Sequence, residues 1–470
     1  LVGSEMCIRD RSTTANTHQC FGIAAYNLAL DCMADDLIMQ SQGNGWFWGD
    51  HCYNVKSNYT SSAFRSYDVW YANYKWIANV NYIIDAEPEM AGTEADVAYV
   101  AGQAYAIRAL CYLNLATWFS RAPYNPLTGA SRWNEACVPV YTTGTSIDTG
   151  GQPRESLRTV YGRIDQDIDR AIELLEKARE TTLAENNKSH INLYVALGIK
   201  SRACLAEGDW DGAFKAAKRV IDEGGYAVGT KSDLTGGMNS LGKQNVMWGA
   251  GIQVADQAGG YAGFFTHMDN KEGAYAKSAP KLISKQLYNR ISATDIRRDW
   301  WDPSDKESPY VSKKFSFGNV ASFLGDYIYM RVEEMYFTAA EAALRLDDLK
   351  SARELMNTVM AERDPGYSAN NRSGTLLGAT TTTWTGSFLE NILTHRRIEL
   401  WGEYGRLFDV RRLGQGIDRR TDDGFSEECI SMMNRRNVNI TKADTYDWVL
   451  TIPKAELDAN PNINEEDQNP

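Results

Sequence analysis

Residues 203–223 read ACLAEGDWDGAFKAAKRVIDE, and residues 342–362 read AALRLDDLKSARELMNTVMAE. At a constant offset of 139 positions Ala203 falls on Ala342, Leu205 on Leu344, Asp209 on Asp348, Trp210 on Leu349, Ala213 on Ala352 and Val220 on Val359. Each stretch is the end of one helix, a turn bearing Asp, and a second helix with Ala where the two cross closely. Tetratricopeptide-like helix pairs are built this way, and such pairs finish their cores by stacking on neighbours. The strict tandem of about 34 residues is absent, so the repeats are degenerate and separated by insertions. Two unrelated helical hairpins with the same turn chemistry is the plainer reading of these two stretches taken alone.

The rest of the chain supplies more helices. Residues 21–39 are mostly apolar and suit a helix. Between Ser66 and Ala86, Tyr67, Trp70, Tyr71, Tyr74, Ile77, Ala78, Asn81 and Ile84 recur at three and four, the helical spacing. Glu94 to Phe119 predicts a long helix with small residues on one face, which ends before Pro123 and Pro126. A connector at 121–153 leads to helices at about 155–180, 190–207 and 210–223, and a second block follows at about 327–346, 348–362 and 387–403. Residues 225–325 lack a sustained period and predict loops, short helices and a few small strands. From residue 405 the tail reads as irregular. The fold class is therefore mostly α, a superhelix of degenerate helix pairs with long irregular loop insertions. Residues 12–470 form one domain, with helical units within 21–119, 155–223 and 327–404 and a loop-rich insertion at 225–325. Residues 1–11, LVGSEMCIRDR, do not fit a secretory signal and read as an artefact or non-native leader.

Composition excludes several classes. The net charge of −12, with 61 acidic and 49 basic residues, argues against nucleic acid as a partner. No stretch reaches the roughly 18 apolar residues of a membrane span. The eight cysteines (7, 20, 32, 52, 111, 137, 204 and 429) have no CxxC pair and give no zinc cluster. Cys111 and Cys204 fall within Ala- and Leu-rich helical patterns as buried thiols. No EF-hand loop occurs. No cofactor is expected, and a structural calcium is left open by the Asp- and Asn-rich loops.

Catalytic signatures are missing as well. The five histidines are scattered, with no HExxH, and there is no GxSxG elbow and no GxxxxGK[ST] loop. Asp35-Asp36, Glu333-Glu334 and Asp347-Asp348 are carboxylate neighbours in sequence only, since adjacent helix positions do not share a direction. No catalytic or metal-ligating residue is assigned. Aromatic residues are more informative, with 13 Trp, 25 Tyr and 14 Phe. Several lie outside the helical patterns, in GNGWFWGDHCYN (43–54) and GGYAGFFTHMDN (259–270). Flat amphipathic rings suit the apolar C–H face of a sugar, and neighbouring Asn, Gln and Asp suit its hydroxyls. Trp46, Trp48 and Tyr53 are the first candidates for ligand contact, followed by Tyr261, Phe264, Phe265, Trp300 and Trp301. The competing role for any one of these rings is to plug its loop onto the helical body.

Four segments carry a resemblance: SYDVWYANYKWIANVNYIIDA (66–86), AGQAYAIRALCYLNLATWFSRAP (101–123), HRRIELWGEYGRLFDVRRLG (395–414) and LTIPKAELDANPNINEEDQNP (450–470). In this order they resemble the SusD/RagB family of outer-membrane nutrient-binding lipoproteins, from about residue 20 to residue 470. Gly102, Ala104, Arg108, Ala109, Tyr112, Leu115, Phe119 and Pro123 match the second motif. Glu399, Leu400, Glu403, Gly405, Arg406, Asp409, Arg412 and Gly414 match the third, although His395-Arg396-Arg397 replaces its usual Glu-Arg opening. The resemblance implies a non-catalytic protein that captures oligosaccharide or polysaccharide at the cell surface and delivers it to a SusC-like TonB-dependent transporter. It also implies outer-membrane anchorage through an N-terminal lipid not visible in this chain. For Gly102, Arg108, Arg406 and Asp409 a structural role, with Arg–carboxylate pairs tying helices together, explains the motif as well as ligand contact does. The alternatives are a peptide or other nutrient binder on the same fold, a helical-barrel glycoside hydrolase and a tetratricopeptide adaptor.

Overall fold

The computed structural model of the chain describes residues 18–54, 64–146, 148–181, 183, 187–253 and 262–470. Ten helices carry the architecture: α1 (Ile23–Met33), α2 (Phe64–Ala86), α3 (Glu94–Phe119), α4 (Leu157–Lys177), α5 (Leu193–Glu207), α6 (Trp210–Glu223), α7 (Val332–Arg345), α8 (Leu349–Ala361), α9 (Phe388–Glu399) and α10 (Arg406–Arg412).

The two similar stretches are α5–α6 and α7–α8, and their turns close in the same way. Gly208 (φ 79°) and Asp347 (φ 61°), 139 positions apart, both adopt the left-handed conformation. The next amide returns to the preceding helix in each case, Asp209 N to Cys204 O at 2.9 Å and Asp348 N to Ala343 O at 2.9 Å. A second bond joins Gly208 N to Leu205 O and Asp347 N to Leu344 O, each 3.3 Å. This closure satisfies carbonyls that a helix end leaves orphaned. Each Asp side chain then starts the following helix, Asp209 accepting from Gly212 N and Asp348 from Ser351 N, both at 3.0 Å.

Consecutive helices pack on one another from α2 through α8, and α9 lies against α7. At the α3–α4 crossing Gly102 is required, because a Cβ there would stand 2.9 Å from Leu175 Cγ. The starts of α3, α4, α5 and α9 are capped by the side chains of Thr93, Ser156, Asn192 and Ser387. One hydrophobic core runs through the stack, and α1 enters it so deeply that every residue but Asn27 is buried. Cys111 and Cys204 are buried. Among the described residues no helix is long and apolar enough to cross a membrane.

The region 225–325 holds short helices and small strands. β1 (Leu37–Ile38), β3 (Leu282–Ile283), β5 (Val311–Ser312) and β4 (Trp301–Asp302) form an antiparallel sheet in that order. β2 (Val246–Ala250) pairs antiparallel with β6 (Tyr327–Arg331), Val246 opposite Arg331 and Ala250 opposite Tyr327.

Three boundaries differ from the sequence reading. The first helix stops at Met33 and not near 39, because the chain turns extended at Ala34 and sends Asp35 and Asp36 to Arg397 and Arg406. The helix expected from 327 is preceded by β6, whose Tyr and Ile side chains suit a half-buried pleated surface. The tail after 405 is partly helical, with α10 and short helices at Glu427–Arg435 and Lys454–Ala459. The leader at 1–11 lies outside the described residues.

Candidate binding cleft

α2 carries aromatic rings around more than one face. Val69, Trp76 and Val80 point into the core, whereas Tyr71 is 43% exposed and Tyr67 and Tyr74 are half-buried. The outer face of α2, the 139–146 loop with Thr149, and Glu456 of the Lys454–Ala459 helix enclose a cleft of about 470 Å³. That volume lies within the usual range of ligand sites. Trp70 and Tyr141 are each set at an angle to Tyr74, and Tyr71 lies nearly parallel to its helix neighbour Tyr67. Trp70 and Tyr74 have centroids 4.9 Å apart at 48°, Tyr74 and Tyr141 lie 5.9 Å apart at 89°, and Tyr67 stacks on Tyr71 at 5.6 Å and 13°. Polar groups accompany them. Trp70 Nε1 donates to Glu456 Oε2 at 3.3 Å, Tyr141 Oη accepts from Gln152 N at 3.0 Å, and Thr149 Oγ1 accepts from Ser146 N at 2.8 Å. Lys75 stands at the rim.

The loop that walls the cleft is held by its own backbone. Asn81 Nδ2 donates to Tyr141 O (3.2 Å) and Thr143 O (2.9 Å), Tyr112 Oη donates to Tyr141 O (2.9 Å), and Tyr74 Oη donates to Pro139 O (2.7 Å). Tyr82 Oη donates to Thr145 O, and Asp85 Oδ2 accepts from Gly144 N at 2.6 Å. Burial pushes the Tyr74 and Tyr112 phenols above their ordinary range, so both remain donors. Arg108 organises the base of this wall. It makes a two-pronged pair with Asp167, and its Nη1 donates to Asn81 Oδ1 (2.7 Å) and Thr142 O (2.8 Å).

Chemically the cleft offers tilted ring faces beside hydroxyl, ammonium and carboxylate groups. Hydrolysis of a glycosidic bond generally employs a pair of carboxyl groups across the bond; among the described residues that line this cleft Glu456 is the one carboxylate. A second depression of about 670 Å³ lies around Lys188, Tyr226 and Gln244, and among the described residues that line it Tyr226 is the one ring. The α2 cleft is therefore the better ring-stacking site.

The third sequence motif lies away from the cleft and forms a lattice of buried ion pairs. Arg396 meets Asp409 (Nε–Oδ2 2.8 Å), Arg412 meets Asp409 and Glu341, and Arg397 and Arg406 meet Asp35 and Asp36. Glu399 receives Arg297, Arg331 and Arg363, and Glu403 receives Arg331 and Lys314. Burial acts against ionising Glu399, but the guanidiniums of Arg363, Arg331 and Arg297 hold its carboxyl well below the usual range. Arg406 and Asp409 thus tie α10 to its neighbours and make no part of the cleft wall.

Two family models match the chain. One, described as the SusD family, matches residues 271–470, and the other, described as starch-binding associating with outer membrane, matches residues 17–205. The chain belongs to the SusD family. Solved structures agree with this SusD-family assignment. The SusD-like carbohydrate binding protein from Bacteroides vulgatus is 25% identical, with 99% of this chain and 96% of that one covered and a TM-score of 0.78. A SusD superfamily protein from Bacteroides thetaiotaomicron is 23% identical, with 100% and 97% covered and a TM-score of 0.77. Surface glycan-binding protein A from the same organism, solved in complex with laminarihexaose, is 17% identical, with 100% and 97% covered and a TM-score of 0.69. No curated protein matches the chain.

The aromatic residues singled out in the sequence sit elsewhere in this SusD-family protein. Trp48, Tyr53, Phe264, Phe265, Trp300 and Trp301 are all buried. Tyr53 Oη donates to Met33 O at 2.6 Å, and Trp300 Nε1 donates to Leu234 O at 2.9 Å. Phe264 packs edge-on against Phe265 and Phe315, and Trp301 against Trp401. In this arrangement the faces of these six rings meet protein. Trp46 is half-buried and stacks on His18 at 4.4 Å and 6°. The 43–54 and 262–276 segments do meet, through Phe47–His267 and Trp46–Tyr275 contacts, but they meet as packing. Tyr261 lies outside the described residues. Tyr71, Tyr74 and Tyr141 went unselected because the first two belong to a regular helical stripe, the ordinary signature of a core face. Among the described residues no group of three or more His, Cys, Asp or Glu is arranged to hold a metal ion.

Proposed function

We propose that this protein captures oligosaccharide at the α2 cleft, without chemical change, and passes it to a SusC-like TonB-dependent transporter at the outer-membrane surface. The supporting observation is the cleft itself, in which Tyr74 and Tyr141 stand at an angle near the exposed Tyr71 and beside the hydroxyls of Thr145, Ser146 and Thr149. Sugar rings present apolar C–H faces and a rim of hydroxyls, and this combination of tilted rings and polar edges is complementary to both. Membership of the SusD family supports non-catalytic carbohydrate binding, and the laminarihexaose complex of a structural relative supports an oligosaccharide as the ligand class. Membrane attachment is then by an N-terminal lipid, with the folded body facing the medium.

The test is a binding screen of the pure protein against soluble glycans and peptides, with reducing-sugar release followed in the same samples. Retention of a glycan without released product, weakened in a Tyr71→Ala variant, is the expected result. Retention of peptide alone, or release of product, would replace this reading with the peptide binder or the hydrolase.

A further inference from the structure

The depression around Lys188, Tyr226 and Gln244 is poor in rings but suits a different chemistry. Residues 187–189 form one wall and are strapped to β2. Gly249 N donates to Lys188 O at 3.0 Å, Trp248 Nε1 to Ser189 O at 3.2 Å, and Gly251 N to Ser189 Oγ at 3.4 Å. Residues 241–244 form another wall. Asp326 joins it to the chain beyond β2, accepting from Leu241 N at 2.9 Å and from Ile252 N at 3.2 Å. Lys188 reaches the same wall and donates from Nζ to Lys243 O at 2.6 Å. The hollow so framed measures about 670 Å³, and among the described residues that line it none is a carboxylate.

The polar groups that line it are occupied in one sense. Asn187 Oδ1 accepts from Ser189 N at 3.0 Å, which leaves the Nδ2 protons. Ser189 Oγ accepts from Gly251 N and keeps its own proton. Asn192 Oδ1 is held by Tyr194 N and Val195 N at the start of α5, so its Nδ2 donates to Tyr226 Oη at 3.2 Å and the phenol proton is left over. Lys188 has two ammonium protons beyond the one given to Lys243 O. It is half-buried, burial holds its ammonium below the ordinary lysine value, and among the described residues no carboxylate pairs with it. Four groups thus retain donors, and one of them is a partly desolvated cation without a counter-ion. Such a surface is complementary to a negatively charged ligand rich in acceptors.

We propose that this depression is a second ligand site, separate from the α2 cleft, and that it takes the acidic group, carboxylate or sulfate ester, of a saccharide. The acid's oxygens accept from Lys188, with Asn187, Ser189 and Tyr226 as further donors. The hollow is larger than a bare anion needs. The Tyr226 ring and the Gln244 amide, which offers both a donor and an acceptor, suit the C–H face and hydroxyls of the sugar that carries the acid. The two sites share no lining residue among those described, so they can be tested apart.

The test is calorimetric titration of the full chain with two acidic probes, trigalacturonic acid for the carboxylate and sulfated neocarrabiose for the sulfate ester. At least one is expected to bind, and to bind more weakly as salt is raised. Binding of one alone supports the proposal and names the acid. Lys188→Gln is expected to weaken that binding about tenfold, the loss of one charge-assisted hydrogen bond, whereas Lys188→Arg keeps most of it. Asn187→Asp retains the acceptor for Ser189 N and adds a negative charge at an exposed position, and it is expected to weaken binding as strongly. Tyr71→Ala is expected to have no effect. Failure of both probes to bind overturns the proposal. So does wild-type affinity in both Lys188→Gln and Asn187→Asp, or a loss of acid binding in Tyr71→Ala.

Discussion

Arg108 and Asp167 form a fully buried bidentate pair, Nε to Oδ2 at 2.8 Å and Nη2 to Oδ1 at 2.7 Å, between the long helices α3 and α4. The remaining guanidinium nitrogen reaches Asn81 and Thr142, so one side chain links the helical stack to the wall of the cleft.

Arg108→Gln leaves Asp167 without its main partner. Breaking a buried pair costs about 3–5 kcal/mol, and the lower end applies because Arg163 Nη2 also reaches Asp167 at 3.0 Å. Urea unfolding should register this loss. Ligand affinity of the folded fraction should fall too, because Thr142 and Asn81 lose the donor that fixes them.

Tyr71 and Trp48 should behave in opposite ways. Tyr71 is 43% exposed and Trp48 is 4% exposed. Tyr71→Ala is expected to change stability by less than about 0.5 kcal/mol and to weaken glycan binding about tenfold. Trp48→Ala is expected to cost about 3–5 kcal/mol in stability while folded molecules keep their affinity. Paired urea and calorimetric titrations check both, and equal affinity losses would make the cleft assignment untenable.

The equivalence of the two turns gives a stabilising substitution. Asp347 holds a left-handed backbone where the matching position is Gly208. Asp347→Gly removes a steric cost of about 1 kcal/mol and should raise the thermal midpoint. Gly208→Ala should lower it by more, since its Cβ would stand 2.8 Å from Tyr124 Cδ1.

Asp31 supplies a pH signature. Burial pushes its carboxyl up to about 8, although Arg406 N donates to Oδ1 at 2.6 Å. The folded state therefore keeps its proton while the unfolded chain ionises near 4. The associated stability is fully present below about pH 4 and is lost as pH rises towards 8, at about 1.4 kcal/mol per pH unit. Asp31→Asn cannot ionise and should gain stability relative to wild type between pH 5 and pH 7. A pH-independent difference in urea unfolding would contradict this.

The helical pairs were legible because their determinants are local. Asp209 and Asp348 each cap the helix that begins at the next residue, and Ala213 and Ala352 sit where a close crossing demands a small side chain. The ion-pair lattice was legible only by half. Residues 395–412 show the charges, but nothing near them in sequence shows that Asp35, Glu341, Arg297 and Arg363 are their partners, since tertiary packing makes those pairs. The cleft was obscured for a different reason. Residue type tells what a ring can do, and not which side of the chain it faces. Adjacent Trp70 and Tyr71 differ by one step around α2, and that step separates 6% from 43% exposure. The tryptophans of irregular segments resembled surface groups, yet irregular backbone has to be fastened down, and large rings do the fastening.

The pairing of Asp36 with Arg397 joins residues 361 positions apart. Until the second residue exists, Asp35 and Asp36, just beyond α1, lack their counter-ions, and α1 lacks part of the apolar surroundings that bury it. The N-terminal helix, first to be made, is thus among the last to settle, and contacts of such long range slow folding. A chain cut short before residue 397 would be left with an exposed apolar helix followed by two unmatched acids, prone to association rather than partial function.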